Sequence, residues 1–205
     1  MTHRLAREAA RLNARARTLH KLPALVLMTD DERLADPLAA ARMLPRGSLV
    51  VLRARDPARR AALAQAILSI AERLMIRVSI AGDPELAVRC RADGVHFPEA
   101  RIGEAAHWRV LHPHWLITCA AHSLTACARA GLAQADAVFL APVFATQSHP
   151  GRNCLGPFRA RAIANASLVP VYALGGINAQ NARRLADGRF IGLAAVEGLA
   201  RRGTR

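Results

Sequence analysis

From Pro23 onward, the sequence alternates eight times between a short apolar run and a longer segment with helical character. The apolar runs cover residues 24–29, 48–52, 77–81, 94–97, 116–120, 137–143, 170–175 and 190–196. Such nearly continuous runs are typical of parallel strands that are buried on both faces. The helical segments cover residues 36–44, 57–75, 84–92, 102–111, 123–135, 158–166, 179–186 and 197–202. Several follow a helix start signal: Asp56-Pro57, Asp83-Pro84, Ser123 or Asn178.

Eight strand–helix units predict an α/β fold with a single (β/α)8 barrel, the TIM barrel, over residues 23–205. An open doubly wound sheet is the alternative, but no G-x-G-x-x-G motif follows the first strand. The chemistry of a TIM barrel lies at the carboxyl ends of its strands. Functional residues are therefore expected just after each apolar run.

The segment before the barrel is arginine-rich. Leu5, Ala9, Leu12 and Ala16 recur at helical spacing, which predicts an N-terminal basic helix over residues 1–22. The pattern favours a solvated helix that caps the barrel. A transit peptide has a similar composition and is the alternative.

The chain carries 29 Lys and Arg against 15 Asp and Glu, a formal net charge of +14. Basic proteins often bind nucleic acid through its phosphates. Here the arginines are scattered along every predicted helix, and aromatic residues for base stacking make up only 4%. These features disfavour a nucleic-acid partner. A hydrophobic fraction of 52% excludes disorder, and no apolar run is long enough to span a membrane.

Four cysteines occur without any C-x-x-C pair. They are Cys90, Cys119, Cys127 and Cys154. The pattern indicates thiols in a reducing cytoplasm rather than a disulfide framework or a zinc site. The sequence gives no signal for the oligomeric state.

The loops after the last three strands have the composition of a phosphate site. Gly175 and Gly176 end the seventh strand, and a small-residue strand leads to Val196 in the eighth. In TIM barrels these two loops frequently bind phosphate. Thr146 and Ser148, after the sixth strand, offer hydroxyl donors. The alternatives are a tight turn at the glycines and an ordinary polar surface loop.

Four motifs stand in order along the chain: Met28-Thr29-Asp30, Ala92-Asp93-Gly94-Val95-His96, Ala141-Pro142-Val143-Phe144-Ala145-Thr146 and Ala173-Leu174-Gly175-Gly176-Ile177. From Pro23 to about Gly198 the chain resembles the thiamine phosphate synthase superfamily, which includes the thiazole tautomerases. The resemblance implies an enzyme of thiamine biosynthesis that acts on small phosphate esters. A synthase of this family couples hydroxymethylpyrimidine diphosphate to thiazole phosphate with the help of Mg²⁺.

The resemblance also implies roles for single residues. Arg53 and Arg55 match the family's diphosphate clamp, with Arg55 in place of a lysine. His149 stands where the family has another lysine. The implied phosphate contacts are Thr146, Ser148, Gly175, Gly176 and the backbone around Val196.

The chain departs from the synthases where they hold Mg²⁺. Ala81 and Gly82 replace the Asn-Asp pair after the third strand, and Arg101 replaces an aspartate after the fourth. Asp83 and Glu99 are the carboxylates close enough in sequence to serve as metal ligands instead. A Mg²⁺ cofactor therefore depends on these two residues.

His122 follows the fifth strand in a His-Ser-Leu motif that resembles the thiazole tautomerases. There the histidine moves a proton during aromatisation of the thiazole, a role that suits an imidazole. The alternative is a surface histidine beside the helix cap Ser123. Three hypotheses follow: a synthase, a metal-free tautomerase that uses His122, and a non-catalytic barrel that binds a phosphate ester.

Overall fold

The computed structural model describes residues 2–16, 22–146 and 154–200. Its eight strands form a closed barrel in the order β1 to β8, and every neighbouring pair is parallel. The strands are β1 Leu25–Met28, β2 Leu49–Leu52, β3 Arg77–Ala81, β4 Gly94–Phe97, β5 Leu116–Ala121, β6 Ala137–Leu140, β7 Val171–Ala173 and β8 Phe190–Ala195. The predicted TIM barrel is confirmed.

The helices lie between the strands. They are α1 Thr2–Ala16, α2 Pro37–Arg42, α3 Pro57–Leu74, α4 Pro84–Cys90, α5 Glu104–Leu111, α6 Leu124–Leu132, α7 Gly156–Ala166 and α8 Glu197–Ala200. Short 3-10 helices cover Glu99–Arg101 and Ala182–Leu185. Asp56, Asp83 and Ser123 each accept a hydrogen bond from an amide in the first turn that follows, as their positions predict. No helix in the described ranges is long and apolar enough to cross a membrane.

The predicted helix over residues 179–186 is wrong, because only the 3-10 helix Ala182–Leu185 forms there. The side-chain oxygen of Asn178 accepts hydrogen bonds from the amides of Gln180 and Asn181. The side-chain oxygen of Asn181 accepts one from the amide of Asn178. These local bonds compete with regular helix formation.

The N-terminal helix α1 packs on the outside of β8. Its apolar side buries Leu5, Ala9 and Leu12, while its arginines face solvent. The Asn13 side-chain amide donates hydrogen bonds to the carbonyls of Leu22 and Ile191, at 3.2 and 2.7 Å. The helix therefore belongs to the outer layer of the barrel, where it also contacts the short 3-10 helix Ala182–Leu185.

The four cysteines are free thiols. Cys119 and Cys127 are buried, and burial raises the pKa of the Cys119 thiol to about 12. A thiol with such a pKa is a poor nucleophile. Cys119 is therefore a packing residue of the core and not a catalytic one.

Candidate active site

At the carboxyl ends of β1 and β2, one buried carboxylate binds two arginines. The Oδ2 atom of Asp30 accepts hydrogen bonds from Nη2 of Arg33, at 2.8 Å, and from Nη2 of Arg53. Its Oδ1 atom accepts one from Nε of Arg33 at 3.1 Å. Burial opposes ionisation, but the hydrogen bonds and charges of Arg33 and Arg53 hold the pKa of Asp30 well below its usual range. Asp30 is therefore a carboxylate at any physiological pH.

The backbone of Arg53 is fixed as well. Its amide donates to Oγ1 of Thr29 at 2.8 Å, and the same hydroxyl donates to the Arg53 carbonyl at 3.0 Å. The sequence-based site included Arg53 but neither Asp30 nor Arg33. A usable signal was present, since acidic residues after β1 must face arginines after the neighbouring strand β2.

Arg55 lies apart from this cluster. Its guanidinium pairs with Glu32 at 3.0 Å, and both side chains are largely exposed. Its backbone amide donates to the Asp31 carboxylate at 2.8 Å. Arg55 is therefore a solvent-exposed residue of the rim, whereas Arg53 is half-exposed and bound to the buried Asp30.

The carboxylates after β3 and β4 are engaged in protein contacts. Asp83 caps α4 through the amide of Leu86 and pairs with Arg60 at 3.3 Å. Glu99 accepts a hydrogen bond from the His122 amide at 2.8 Å. Within the described ranges, no group of three or more His, Cys, Asp or Glu side chains is placed to hold a metal ion.

Arg101 lies between the same two strand ends. Its guanidinium donates to both carboxylate oxygens of Glu104, at 2.5 and 2.6 Å, and to the Gly82 carbonyl at 2.8 Å. A fixed positive charge beside the β3 end disfavours a divalent cation. The residues present at this place do not fit Mg²⁺, which needs free carboxylate oxygens.

His122 lies at the carboxyl end of β5, with an exposed side chain. Its ring Nδ1 lies 2.6 Å from the carbonyl oxygen of Ala141, at the end of the neighbouring strand β6. A carbonyl oxygen only accepts hydrogen bonds, so Nδ1 carries the proton and donates. In the neutral ring, Nε2 then has a free lone pair and can act as a base.

His96 is the penultimate residue of β4 and is buried. Its Nδ1 lies 3.0 Å from Oγ1 of Thr118, and its ring packs edge-on against Phe139. Burial, with a smaller contribution from the Arg53 charge, lowers the pKa of His96 to about 3. His96 is therefore neutral and has a packing role.

The loops after β6, β7 and β8 contact one another. Gly175 and Gly176 have φ angles of +95° and +63°. A Cβ at Gly175 would lie 2.8 Å from Cα of Pro142, and one at Gly176 would lie 2.9 Å from Cβ of Phe144. Both glycines are thus required for the close approach of two loops, whether or not a ligand binds there.

The start of α8, directly after β8, packs against the β7 loop. A Cβ at Gly198 would lie 2.8 Å from the carbonyl oxygen of Ile177, and Val196 is buried. Thr146 is half-buried at the end of the β6 loop. Ser148 and His149 lie outside the described residues. Of the predicted phosphate contacts, the structure therefore brings together the loops that carry Gly175, Gly176 and Val196.

Comparison of the sequence with known proteins finds one family. The profile of the family described as thiamine monophosphate synthase matches residues 25–199. The thiamine-phosphate synthase of Alcanivorax borkumensis is 29% identical over 192 residues, which is 88% of this chain and 87% of that protein. The thiamine-phosphate synthase of Anoxybacillus flavithermus is 27% identical over 191 residues, with 88% and 87% covered.

A solved structure shares the fold. The thiamine phosphate pyrophosphorylase of Pyrococcus furiosus superimposes with a TM-score of 0.70 and 21% sequence identity, covering 86% of each chain. At this identity the likeness supports the barrel architecture alone.

Proposed function

This chain belongs to the thiamine monophosphate synthase family, and on that premise we propose that it is an enzyme of thiamine biosynthesis that acts on thiazole phosphate. The reaction we propose is proton transfer during aromatisation of the thiazole, with His122 as the base. The substrate lies in the barrel mouth, where the side chains at the carboxyl ends of the strands meet.

The hydrogen bond from His122 to Ala141 is the observation that carries this proposal. The hydrogen bond fixes the orientation of the ring. It leaves Nε2, on the side of the ring away from Ala141, with a lone pair that can accept a proton. Tautomerisation removes a proton from one atom of the substrate and returns a proton to another, with no net oxidation. One imidazole that alternates between its neutral and protonated forms suffices for this chemistry.

The phosphate end is assigned to the loops after β6, β7 and β8. Backbone amides around Gly176 and Val196, with the hydroxyl of Thr146, are the proposed contacts. Ser148 and His149 remain proposed contacts from the sequence. Arg53 supplies a fixed positive charge on the other side of the β8–β1 junction.

The proposed reaction needs no metal ion. Asp83 and Glu99 are committed to a helix cap, an ion pair and the His122 backbone, so they make a poor ligand set for Mg²⁺. Proton transfer by the His122 imidazole does not need free carboxylates or a metal ion at the barrel mouth.

The test is an aromatisation assay on the non-aromatic thiazole phosphate tautomer, run in the presence of EDTA. We expect wild-type turnover, a loss of about a hundredfold or more in kcat for His122→Gln, and nearly unchanged KM. His114→Gln is the matched control, because His114 is an exposed histidine before β5, at the opposite end of the barrel. Full activity of His122→Gln would refute the proposed role.

The coupling of hydroxymethylpyrimidine diphosphate to thiazole phosphate is the second candidate function. It is favoured by the names of the relatives and by Arg53, which the resemblance matches to the family's diphosphate clamp and which binds Asp30. Formation of thiamine phosphate from the two precursors with MgCl₂ would support it. Calorimetric binding of thiazole phosphate with neither reaction would instead indicate a non-catalytic phosphate-ester-binding barrel.

A further inference from the structure

A groove lined by arginines lies on the outer wall of the barrel, between α1 and the 3-10 helix Ala182–Leu185. It is called here the arginine groove. We propose that it binds a compact polyanion with a chain of three phosphates, as in a nucleoside triphosphate or inorganic tripolyphosphate. The lining includes none of the residues assigned to the barrel mouth, so this proposal goes beyond the proposed function and does not rest on it.

The groove lies where the strand–helix unit between β7 and β8 is short. Only a four-residue 3-10 helix forms there, and α1 packs against β8 beside it. The space between the two helices has a volume of about 370 Å³. Small-molecule sites typically have volumes of about 300 to 1,000 Å³. The groove is therefore large enough for a small organic ligand.

Positive charge dominates the lining. Arg4, Arg11 and Arg15 contribute from α1, and Arg183 contributes from the 3-10 helix. The lining carboxylate, Glu8, pairs with Arg11 at 2.9 Å. Among the described residues, the other three arginines have no carboxylate partner. Four positive charges against one negative charge leave a net charge of +3, and guanidiniums bind phosphate oxygens through paired hydrogen bonds.

The arginines of α1 form one stripe. Arg4, Arg11 and Arg15 are separated by seven and four residues, which places them on the same side of the helix. At a rise of about 1.5 Å per residue, the stripe is about 16 Å long. Arg183 lines the opposite wall. A single phosphate group would contact only part of such a stripe, so its length favours a ligand with several phosphates.

The floor of the groove is apolar. Leu12 and Ala182 are buried, Ala186 is half-buried, and all three line the groove. Ligand sites commonly combine an apolar surface with a few polar groups that fix the orientation of the ligand. An organic group attached to the phosphate chain can contact this floor while the phosphates bind the guanidiniums.

Hydrogen bonds hold the two walls in place. The Arg15 guanidinium donates to the carbonyl of Ala186 at 3.0 Å and so joins α1 to the end of the 3-10 helix. At the other end of that helix, the side-chain amide of Asn181 donates to the carbonyl of Gly176 at 2.7 Å. The groove is therefore formed before a ligand binds, which lowers the entropic cost of binding.

The experiment is calorimetric titration of the full chain with ATP, and in parallel with inorganic tripolyphosphate, in EDTA at low ionic strength. We expect Arg11→Met and Arg183→Met, one from each wall, to weaken the binding of both ligands about fivefold. Arg7→Met is the matched control, because Arg7 is exposed on α1 but does not line the groove. It should change the affinity less than twofold. Affinities of the two groove variants that equal that of Arg7→Met would overturn the proposal.

The comparison of the two ligands identifies the source of the phosphate chain. Tighter binding of ATP than of tripolyphosphate would assign the apolar floor to the nucleoside. Equal binding would assign the groove to the phosphate chain alone. A single-stranded oligothymidylate that binds more tightly than ATP, with an affinity that rises with its length, would identify a nucleic-acid surface and overturn the proposal.

Two further variants separate the groove from the barrel mouth. Glu8→Gln removes the negative charge of the lining and frees Arg11, so tripolyphosphate binding should strengthen at least twofold. Arg53→Met changes the mouth and should leave tripolyphosphate binding within twofold of wild type. Weaker binding by Arg53→Met, with unchanged binding by Arg11→Met and Arg183→Met, would place the anion in the mouth and overturn the proposal. Because binding is measured without turnover, failure of the groove and failure of the His122 chemistry are separate results.

Discussion

The ring of His122 donates a hydrogen bond from Nδ1 to the carbonyl oxygen of Ala141 over 2.6 Å. The contact links the ends of β5 and β6 and fixes which ring nitrogen carries the proton. Glu99 completes the arrangement from the loop after β4, because its carboxylate accepts the hydrogen bond of the His122 amide. A residue that the sequence marks as a possible metal ligand thus positions the proposed base.

Replacing Glu99 tests this positioning role. Glu99→Gln keeps a side-chain oxygen that can accept the His122 amide, so its kcat for thiazole aromatisation should stay within about twofold of wild type. Glu99→Ala removes the acceptor and should lower kcat about fivefold with little change in KM. If Glu99 were a metal ligand, both variants would instead lose activity together and added Mg²⁺ would affect both.

Gly176→Ala should destabilise the protein more than its backbone conformation alone explains. The residue has a positive φ, and the new Cβ would collide with Phe144 and the Ala145 carbonyl. We expect a loss of about 2 kcal/mol or more in the free energy of unfolding, measured by urea denaturation.

Gly47→Ala is the matched control for that variant. Gly47 has a φ of +76°, and a Cβ there would have no atom within 4 Å. It should cost only about 1 kcal/mol, the price of the left-handed backbone. Equal losses for the two variants would show that the contact between the β6 and β7 loops contributes little.

Stability should fall as the pH is lowered below about 6.5, in part because of His96. Burial lowers the pKa of His96 to about 3 in the folded chain, whereas the unfolded chain has an ordinary imidazole. Between these two values the unfolded state binds a proton that the folded state does not, so its contribution is about 1.4 kcal/mol per pH unit. His96→Gln keeps a partner for Thr118 without titrating, and its urea unfolding between pH 4.5 and 6.5 should show a slope smaller by about that amount. An unchanged slope would contradict the burial of a neutral His96.

The helix α1 should contribute to the stability of the barrel. Leu5→Ala removes a fully buried side chain and should cost about 3 kcal/mol in the free energy of unfolding. Arg7→Ala, on the exposed side of the same helix, should change it by less than about 0.5 kcal/mol. A thermal or urea unfolding curve for Leu5→Ala that matches the Arg7→Ala curve would show that α1 does not stabilise β8.

The barrel was predictable because strands buried on both faces leave a direct record in the sequence, such as residues 48–52. Helix caps at Asp56 and Asp83 were predictable for a similar reason, since capping is a local interaction. The pairing of Asp30 with Arg33 and Arg53 was not recognised, because three acidic residues in a row follow β1 and the sequence does not show which of them meets which arginine. Local capping also explains why Asp83 is not free to bind a metal ion: its carboxylate caps α4 and pairs with Arg60.

The role of His122 is best tested by following deuterium uptake from solvent by NMR while the non-aromatic thiazole phosphate tautomer becomes aromatic in D₂O with EDTA. We expect the wild-type protein to speed deuterium uptake whether or not EDTA is present, and His122→Gln to slow it by about a hundredfold or more. Deuterium uptake at the wild-type rate in His122→Gln, or uptake that needs added Mg²⁺, would show that His122 is not the metal-free base.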